Sequence, residues 1–196
     1  MKVHVVHCHP RPDSLSSAAL ARVLAGLHAA GHEVRVLDLY ADGFVPELSS
    51  WERVHHLDDP ATKPDIARYA ADLQWCEALV LVYPTWFSGQ PGMLKGWIDR
   101  VWVRGVAYDL PEGANTIRPL LRGLRRIVVV TTHGSPKWVN VLQGEGGKRV
   151  AFRALRVLCS RRTRTTWLAL YGLDHADLQQ RTAFLHRVER AMTRLR

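Results

Sequence analysis

The sequence predicts a single α/β domain, residues 1–196, with a five-stranded parallel sheet and helices on both of its faces. Three observations support this fold class. The length of 196 residues suits one domain. A hydrophobic fraction of 47% and a charged fraction of 23% are those of an ordinary globular protein. Short runs rich in Val, Ile and Leu alternate with segments of helical apolar spacing, an alternation that favours a parallel sheet.

The five runs are the predicted strands, Val3–Cys8, Val34–Leu39, Leu79–Tyr83, Ile127–Thr132 and Thr165–Leu170. The first, third and fourth runs are apolar almost throughout, which is typical of strands that helices cover on both faces. Right-handed crossovers leave few topologies for such a chain, and five strands suit the order 2-1-3-4-5.

Five apolar faces at helical spacing accompany these strands. They consist of Leu20, Val23, Leu24 and Leu27; Ile66, Tyr69, Ala70 and Leu73; Leu94, Trp97, Ile98 and Val101; Val150, Ala154, Val157 and Leu158; and Leu185, Val188, Met192 and Leu195. The segment from Tyr40 to Lys63 is too long for a simple loop, because loops beyond about 15 residues are usually functional or locally structured. We expect it to be an excursion between the second strand and the second helix.

Several protein classes are excluded by the sequence. No apolar stretch approaches the roughly 18 residues of a membrane span. The chain starts directly with a strand pattern and not a signal peptide, so a cytoplasmic protein is expected. Cys8, Cys76 and Cys159 are far apart and form no C-x-x-C motif, which argues against a disulfide framework or a zinc site. His55-His56 with Asp58-Asp59 is weak evidence for a metal, and none is expected.

Three loops are expected to form the ligand site. In an open parallel sheet, ligands bind at the carboxyl ends of the strands where the strand order reverses, here between the first and third strands. Residues 9–17 carry three serines at a helix start, where free N–H groups favour a phosphate. Alternatively, Ser14 or Ser16 is only a helix cap. The loop lacks both the dinucleotide and the P-loop glycine patterns, which disfavours those sites.

The second and third loops have the composition of a site for a planar ligand. Trp86 and Phe87 lie in the second loop, residues 84–92. A planar heteroaromatic ligand would stack on these two side chains. Alternatively, they pack on the following helix. The third loop, residues 132–147, begins with small and donor-rich residues. His4 and His7 lie in a central strand and are interpreted as buried core histidines.

Together, three motifs in these loops resemble the flavodoxin-like NAD(P)H:quinone oxidoreductase family. The motifs are H-P-x-x-x-S-L-x from His9, Y-P-x-W-F-x-x-x-P-x-x-L-K-G-W-x-D-R-V from Tyr83 and T-T-x-G-S-P from Thr131. The resemblance covers roughly residues 1–145, and Phe44-x-Pro46-x-Leu48 also fits it. It implies a flavodoxin-like three-layer sandwich that binds FMN, with FAD as the alternative, and an NAD(P)H-dependent two-electron reduction of quinones or similar small electrophiles.

The resemblance also implies roles for individual residues. His9, Ser14, Leu15 and Ser16 would hold the flavin phosphate; Pro84, Thr85, Trp86 and Phe87 would flank the isoalloxazine ring; and Thr132, His133, Gly134 and Ser135 would meet its pyrimidine edge. Tyr108 matches a substrate-pocket tyrosine that acts across a homodimer, for which Trp97 and Trp102 offer interface area. We therefore expect His133 and Tyr108 to be the catalytic side chains, with ping-pong kinetics.

Departures from the family pattern leave alternatives open. Leu15, Ser16 and His133 stand where Phe, Asn and Gly are common. His133 would either donate a hydrogen bond to the bound flavin or narrow the pocket. A flavodoxin-type electron carrier and a flavoprotein that regulates a transporter are the alternative functions.

The positive charge lies almost entirely in the second half of the chain. Residues 1–100 hold 9 Lys and Arg against 12 Asp and Glu, whereas residues 101–196 hold 18 against 6, so net charges of −3 and +12 make up the total of +9. The arginines from Arg149 to Arg164 suit a solvated helix face or attraction of the NAD(P)H phosphates. Phe152 is the single aromatic residue among them, so the aromatic interleaving of a nucleic-acid-binding segment is lacking and nucleic-acid binding is not expected.

Overall fold

Five parallel strands form the central sheet of the computed structural model, which describes residues 1–58, 64–111, 113 and 115–196. They are β1 (Lys2–His7), β2 (Glu33–Asp38), β3 (Ala78–Pro84), β6 (Arg126–Thr132) and β7 (Arg164–Leu170). Their spatial order is β2-β1-β3-β6-β7, which is the predicted 2-1-3-4-5 when these five strands alone are counted. Each strand lies within one residue of its predicted run, so the fold class is confirmed.

The remaining two strands, β4 (Tyr108–Asp109) and β5 (Arg118–Pro119), form a separate antiparallel ribbon. They were not predicted, because a strand of two residues is too short to show an alternating pattern. The helices are α1 (Leu15–Ala29), α2 (Ser50–Val54), α3 (Pro64–Trp75), α4 (Gly92–Val101), α5 (Lys137–Leu142), α6 (Gly146–Arg149) and α7 (Leu178–Thr193). A π-helical segment, Val150–Leu155, continues α6, and short 3₁₀ turns lie at Arg156–Leu158 and Leu173–His175.

Two hydrophobic cores flank the sheet, and strand β3 contributes to both of them. Residues 78, 80 and 82 pack against α1 and α7, whereas residues 79, 81 and 83 pack against α3 and α4. This double burial explains why the run is apolar throughout. Gly26 allows α1 to approach α7 closely, because a Cβ there would lie 2.7 Å from the Cβ of Met192.

Two predictions about apolar positions were wrong. In the segment after α6 the buried residues are Ala151, Leu155 and Cys159, while the predicted core positions Ala154 and Val157 are exposed. The π-helical segment Val150–Leu155 and the 3₁₀ turn Arg156–Leu158 both depart from the α-helical period on which the prediction was based, so different residues face the core. Trp97 and Trp102 are 0% and 6% exposed inside the core with α4, so they offer no interface area.

The excursion after β2 is attached to α4 by residues of the mid-chain motif. The Arg100 side chain, which is only 6% exposed, pairs with Glu52 at 2.8 Å and donates to the Val45 carbonyl. A Cβ at Gly96 would lie 2.5 Å from the Cβ of Pro46, so the close approach requires glycine. The last part of the predicted excursion, Asp59 to Lys63, lies outside the described residues.

His4 and His7 are buried in β1, as predicted, at 0% and 2% exposure. Burial lowers the pKa of His4, and Nδ1 of His7 lies 2.8 Å from the Asp38 carboxylate. Among the described residues, no helix is long and apolar enough to cross a membrane. No group of three or more His, Cys, Asp or Glu side chains in that part of the chain is placed to hold a metal ion.

Candidate functional site

The three predicted loops meet at the carboxyl ends of β1, β3 and β6. The first residue after β1, Cys8, donates its backbone N–H to the Val82 carbonyl at 2.9 Å. The first residue after β3, Thr85, donates to the Thr132 carbonyl at 2.8 Å. These bonds extend the parallel ladders past the strand ends and bring the three loops side by side. The Cys8 thiol itself is buried, which raises its pKa to about 12 and leaves it protonated.

The serines of the first loop have different roles at the start of α1. Ser14 is the N-cap, and its hydroxyl accepts a hydrogen bond from the Ser17 backbone N–H at 3.1 Å. Ser16 is only 4% exposed, yet its hydroxyl makes no hydrogen bond to any described residue. The N–H groups of Leu15 and Ser16 precede Ala18, whose N–H is the first to donate to a carbonyl within the helix, so they are free for a ligand. The start of α1 thus presents one hydroxyl and two N–H donors to the crevice.

The remaining polar groups of the first loop partly satisfy one another. Arg11 and Asp13 form an exposed ion pair at 2.6 Å, so the Asp13 carboxylate is balanced by a local cation. Nδ1 of His9 accepts from the Arg11 backbone N–H at 3.1 Å. Burial lowers the pKa of His9, and its ring lies 6.3 Å from that of Trp86 in the second loop.

The second loop is a tight turn that presents two aromatic rings. Trp86 and Gly89 exchange both backbone hydrogen bonds, at 3.2 and 3.0 Å. Phe87 and Ser88 between them have φ values of 46° and 63°, the geometry of a type I′ turn that glycine or asparagine usually occupies. The Phe87 side chain is fully exposed and that of Trp86 is 42% exposed. Such strain persists only when surrounding contacts enforce it, and it concentrates at functional sites.

The contacts that enforce this turn come from the segment after α5. The Ser88 hydroxyl donates to the Gln143 side-chain carbonyl at 2.6 Å, and the Ser88 carbonyl accepts from the Gly147 N–H at 3.1 Å. Gln90 in turn donates to the Gly147 carbonyl at 3.0 Å. The aromatic turn is therefore fixed to the third loop before any ligand binds.

In the third loop, hydrogen bonds define the tautomer of His133. The Asn140 amide nitrogen donates to the carbonyls of Ser135 and Pro136, at 3.2 and 2.9 Å. Its oxygen therefore faces His133 and accepts from Nδ1–H at 2.7 Å. Burial lowers the pKa of His133, so the ring is neutral near pH 7. Nε2 is then an acceptor, and it lies 3.4 Å from the Thr85 hydroxyl.

A family model described as a flavodoxin-like fold matches residues 1–185. The chain belongs to this flavodoxin-like family. An uncharacterised NAD(P)H oxidoreductase, YcaK, from Escherichia coli K12 is 33% identical over 116 residues, with 55% of each chain covered. The solved NAD(P)H:quinone oxidoreductase from Methanothermobacter marburgensis is 28% identical, with a TM-score of 0.85 over 100% of this chain and 99% of that one. This chain spans less than two thirds of the length of the curated relatives it matches.

A third solved structure is similar to this chain in its fold only. The solved FMN-dependent NADH-azoreductase from Bacillus anthracis, in complex with FMN, is 16% identical to this flavodoxin-like protein. Its TM-score is 0.75 over 98% of both chains.

The fourth strand-end loop of this flavodoxin-like protein also contributes to the site, which sequence reasoning missed. Tyr171, just after β7, stacks on His133 with ring centroids 4.5 Å apart and planes inclined by 20°. A Cβ at Gly134 would lie 2.7 Å from the Asp174 carboxylate, so the two loops are in close contact. Because β7 pairs with β6, the predicted strand order places the loop after β7 beside the third loop, and this adjacency was the available signal.

Tyr108 lies on the two-stranded ribbon of the flavodoxin-like fold. It is half-buried on β4, packs against the core with α4, and its carbonyl accepts from the Gly105 N–H at 2.8 Å. No hydrogen bond among the described residues joins Tyr108 to the three loops.

Proposed function

We propose that this protein binds FMN and catalyses the NAD(P)H-dependent, two-electron reduction of quinones or similar small electrophiles. One observation carries the proposal: a phosphate-type donor set at the start of α1 lies beside an enforced, exposed aromatic turn. The two features match the two ends of a flavin mononucleotide. When bound, the flavin supplies the hydride-transfer chemistry, while the protein contributes binding and orientation.

The phosphate end of the proposed site is built on Ser16 and on the backbone of Leu15 and Ser16. The Ser16 hydroxyl makes no hydrogen bond to another described residue and remains accessible, so it can donate to a ligand. The helix N-terminus adds its partial positive charge. We favour FMN over FAD because no adenine-contacting residues are identifiable in the segment after Gly147.

The ring end of the proposed site is built on Trp86, Phe87 and the loop that begins at Thr132. The fully exposed Phe87 ring offers an apolar face that water solvates poorly, and a planar ligand would cover it. His133 narrows the pocket here and offers Nε2 as an acceptor. Of the two roles expected for His133, pocket narrowing agrees with the neutral Nδ1–H tautomer, whereas donation from Nε2 would require a protonated ring.

Ping-pong kinetics follow from this arrangement, because nicotinamide and acceptor must use the same exposed face in turn. Initial rates measured with both substrates varied are expected to give parallel double-reciprocal lines. Intersecting lines would show that both substrates bind together and would contradict a shared face.

We also propose a homodimer in which Tyr108 reaches the partner's pocket. The buried Trp97 and Trp102 cannot form that interface, so the proposal depends on Tyr108 alone. Sedimentation equilibrium is expected to show a dimer at assay concentrations, and Tyr108→Ala is expected to raise KM for the acceptor without releasing flavin. A fully active monomer would refute this arrangement.

The test of the main proposal is the absorption spectrum of the purified full chain, followed by mass analysis of the cofactor released on denaturation. We expect flavin absorption and the mass of FMN, and quinone-dependent oxidation of NADH or NADPH by the same sample. A colourless protein that gains no flavin on incubation with FMN or FAD would overturn the proposal.

A further inference from the structure

Six arginines surround a concave surface at the amino-terminal edge of the sheet, away from the candidate site. We call them the arginine cluster: Arg122, Arg125, Arg126, Arg162, Arg164 and Arg196. The cavity that they line has a volume of about 620 Å³. Arg126 begins β6, Arg164 begins β7, and the two are paired in register. The candidate site follows the other ends of these strands, roughly 20 Å away along seven-residue strands that rise about 3.3 Å per residue.

The charge of the arginine cluster is not balanced within the described part of the chain. None of its members takes part in an ion pair there, whereas Arg118 nearby in the sequence pairs with Asp109 at 3.0 Å. Glu77 adjoins the cluster, since its carbonyl accepts from the Arg125 N–H at 2.7 Å, but its carboxylate pairs with none of the six guanidinium groups and offsets at most one of their charges. Guanidinium groups remain charged at any physiological pH, so the cluster keeps a local excess of positive charge that attracts an anion.

The two segments that carry five of the six arginines, residues 122–126 and 162–164, are held against each other by hydrogen bonds. The Thr163 hydroxyl donates to the Leu124 carbonyl at 2.6 Å, and the Arg164 N–H donates to the Arg125 carbonyl at 3.0 Å. Arg156 further fixes the second loop by donating to the Thr163 carbonyl at 2.9 Å. The backbone beneath the arginines is therefore ordered before a ligand arrives, which lowers the cost of binding.

We propose that the arginine cluster is a second ligand site, which binds a compact polyanion such as a molecule with a di- or triphosphate group. The guanidinium fork matches phosphate oxygens in two-point contacts. The cavity is concave, so it suits a compact group better than a flat membrane surface. Among the described residues, no aromatic side chain lines it to stack on bases, which disfavours nucleic acid.

The experiment is titration calorimetry of the full-length protein with inorganic tripolyphosphate at 150 mM NaCl. It is run with and without saturating FMN, because tripolyphosphate could also enter a flavin phosphate site. We expect one tripolyphosphate per chain with the same affinity in both samples. Loss of the signal when FMN is added would place the anion in the candidate site and overturn this proposal, while leaving the flavin proposal intact.

Two triple variants with equal loss of charge separate a defined site from general attraction. Arg125→Gln with Arg126→Gln and Arg164→Gln removes the centre of the cluster. The matched control replaces Arg153, Arg181 and Arg190, which are exposed and outside the cluster, by Gln.

We expect the cluster variant to weaken tripolyphosphate binding at least about 30-fold and to melt no lower than the wild type in phosphate-free buffer, since repulsion is relieved. The control variant is expected to bind within about threefold of the wild type. Equal weakening in both variants, or no binding by the wild type, would overturn the proposal. The proposal would also be overturned if the protein bound duplex DNA or vesicles containing phosphatidylserine tightly and tripolyphosphate did not displace them.

Discussion

Replacing single serines at the start of α1 tests the proposed phosphate site, because the structure gives Ser14 and Ser16 different roles. Ser16→Ala removes a hydroxyl that makes no N-cap hydrogen bond. A hydrogen bond to a charged group contributes about 1.5–3 kcal/mol, so FMN is expected to bind roughly 10- to 100-fold more weakly. The melting temperature of the apo-protein is expected to stay close to that of the wild type, since no hydrogen bond among the described residues is lost.

Ser14→Ala removes the N-cap bond to the Ser17 N–H and is expected to lower the free energy of unfolding of the apo-protein by about 1 kcal/mol. Combined with Ser16→Ala, it is expected to weaken FMN binding by about 10²-fold. Ser49→Ala is the matched control, because Ser49 caps α2 in the same way, at 3.1 Å from the Glu52 N–H. It is expected to cost about 1 kcal/mol of stability and leave FMN affinity unchanged.

The assay is quenching of FMN fluorescence on titration with apo-protein, paired with urea unfolding of the same apo-proteins. The reasoning would be refuted if Ser16→Ala bound FMN as the wild type does. It would also be refuted if Ser49→Ala weakened binding as much as Ser16→Ala, because the effect would then come from stability and not from the phosphate contact.

Three further predictions concern stability. Asn140→Leu leaves the buried Nδ1–H of His133 without an acceptor and is expected to lower the free energy of unfolding, measured by urea unfolding, by about 2–4 kcal/mol. A loss below about 0.5 kcal/mol would contradict the assigned tautomer. Arg100→Met is expected to lower the free energy of unfolding by about 3–5 kcal/mol, because it leaves the Glu52 carboxylate without its partner. Adding Glu52→Gln is expected to restore part of this loss. Strictly additive effects in a double-mutant cycle would show that the two side chains are not coupled. Burial lowers the pKa of His4 and His133 below the ordinary histidine value of 6.5. The unfolded chain therefore binds more protons as the pH falls through 6.5, and the free energy of unfolding is expected to decline from pH 7.5 to pH 5.5. Urea unfolding that is independent of pH in this range would argue against neutral buried histidines.

The strands and their order could be predicted from the sequence because burial on both faces of a sheet imposes a local pattern. Val3–Cys8 and Leu79–Tyr83 are apolar at nearly every position, and no surface element would tolerate such runs. Loop positions at strand ends follow from the same pattern. That is why the three loops which meet at β1, β3 and β6 could be named without coordinates.

The apolar face after Val150 could not be predicted, because its spacing depends on π-helical winding. In that segment Ala151 and Leu155 are the residues buried in the core. Trp97 and Trp102 were misplaced at an interface for a related reason. The sequence shows an aromatic side chain but not which of two helix faces lies against the sheet.

The sequence by itself determined the fold class and the loops that form the candidate site, since both depend on residue types at regular local spacing. Only the tertiary structure decided which atoms of those loops remain free. Ser14 is used by its own helix while Ser16 is not, and Asn140 turns His133 into an acceptor at Nε2. It also brought together arginines from residues 122–126 and 162–164, which are distant in sequence but adjacent where β6 pairs with β7. Hydrogen-bond partners and charge clusters of this kind arise from contacts between segments, and no local pattern encodes them.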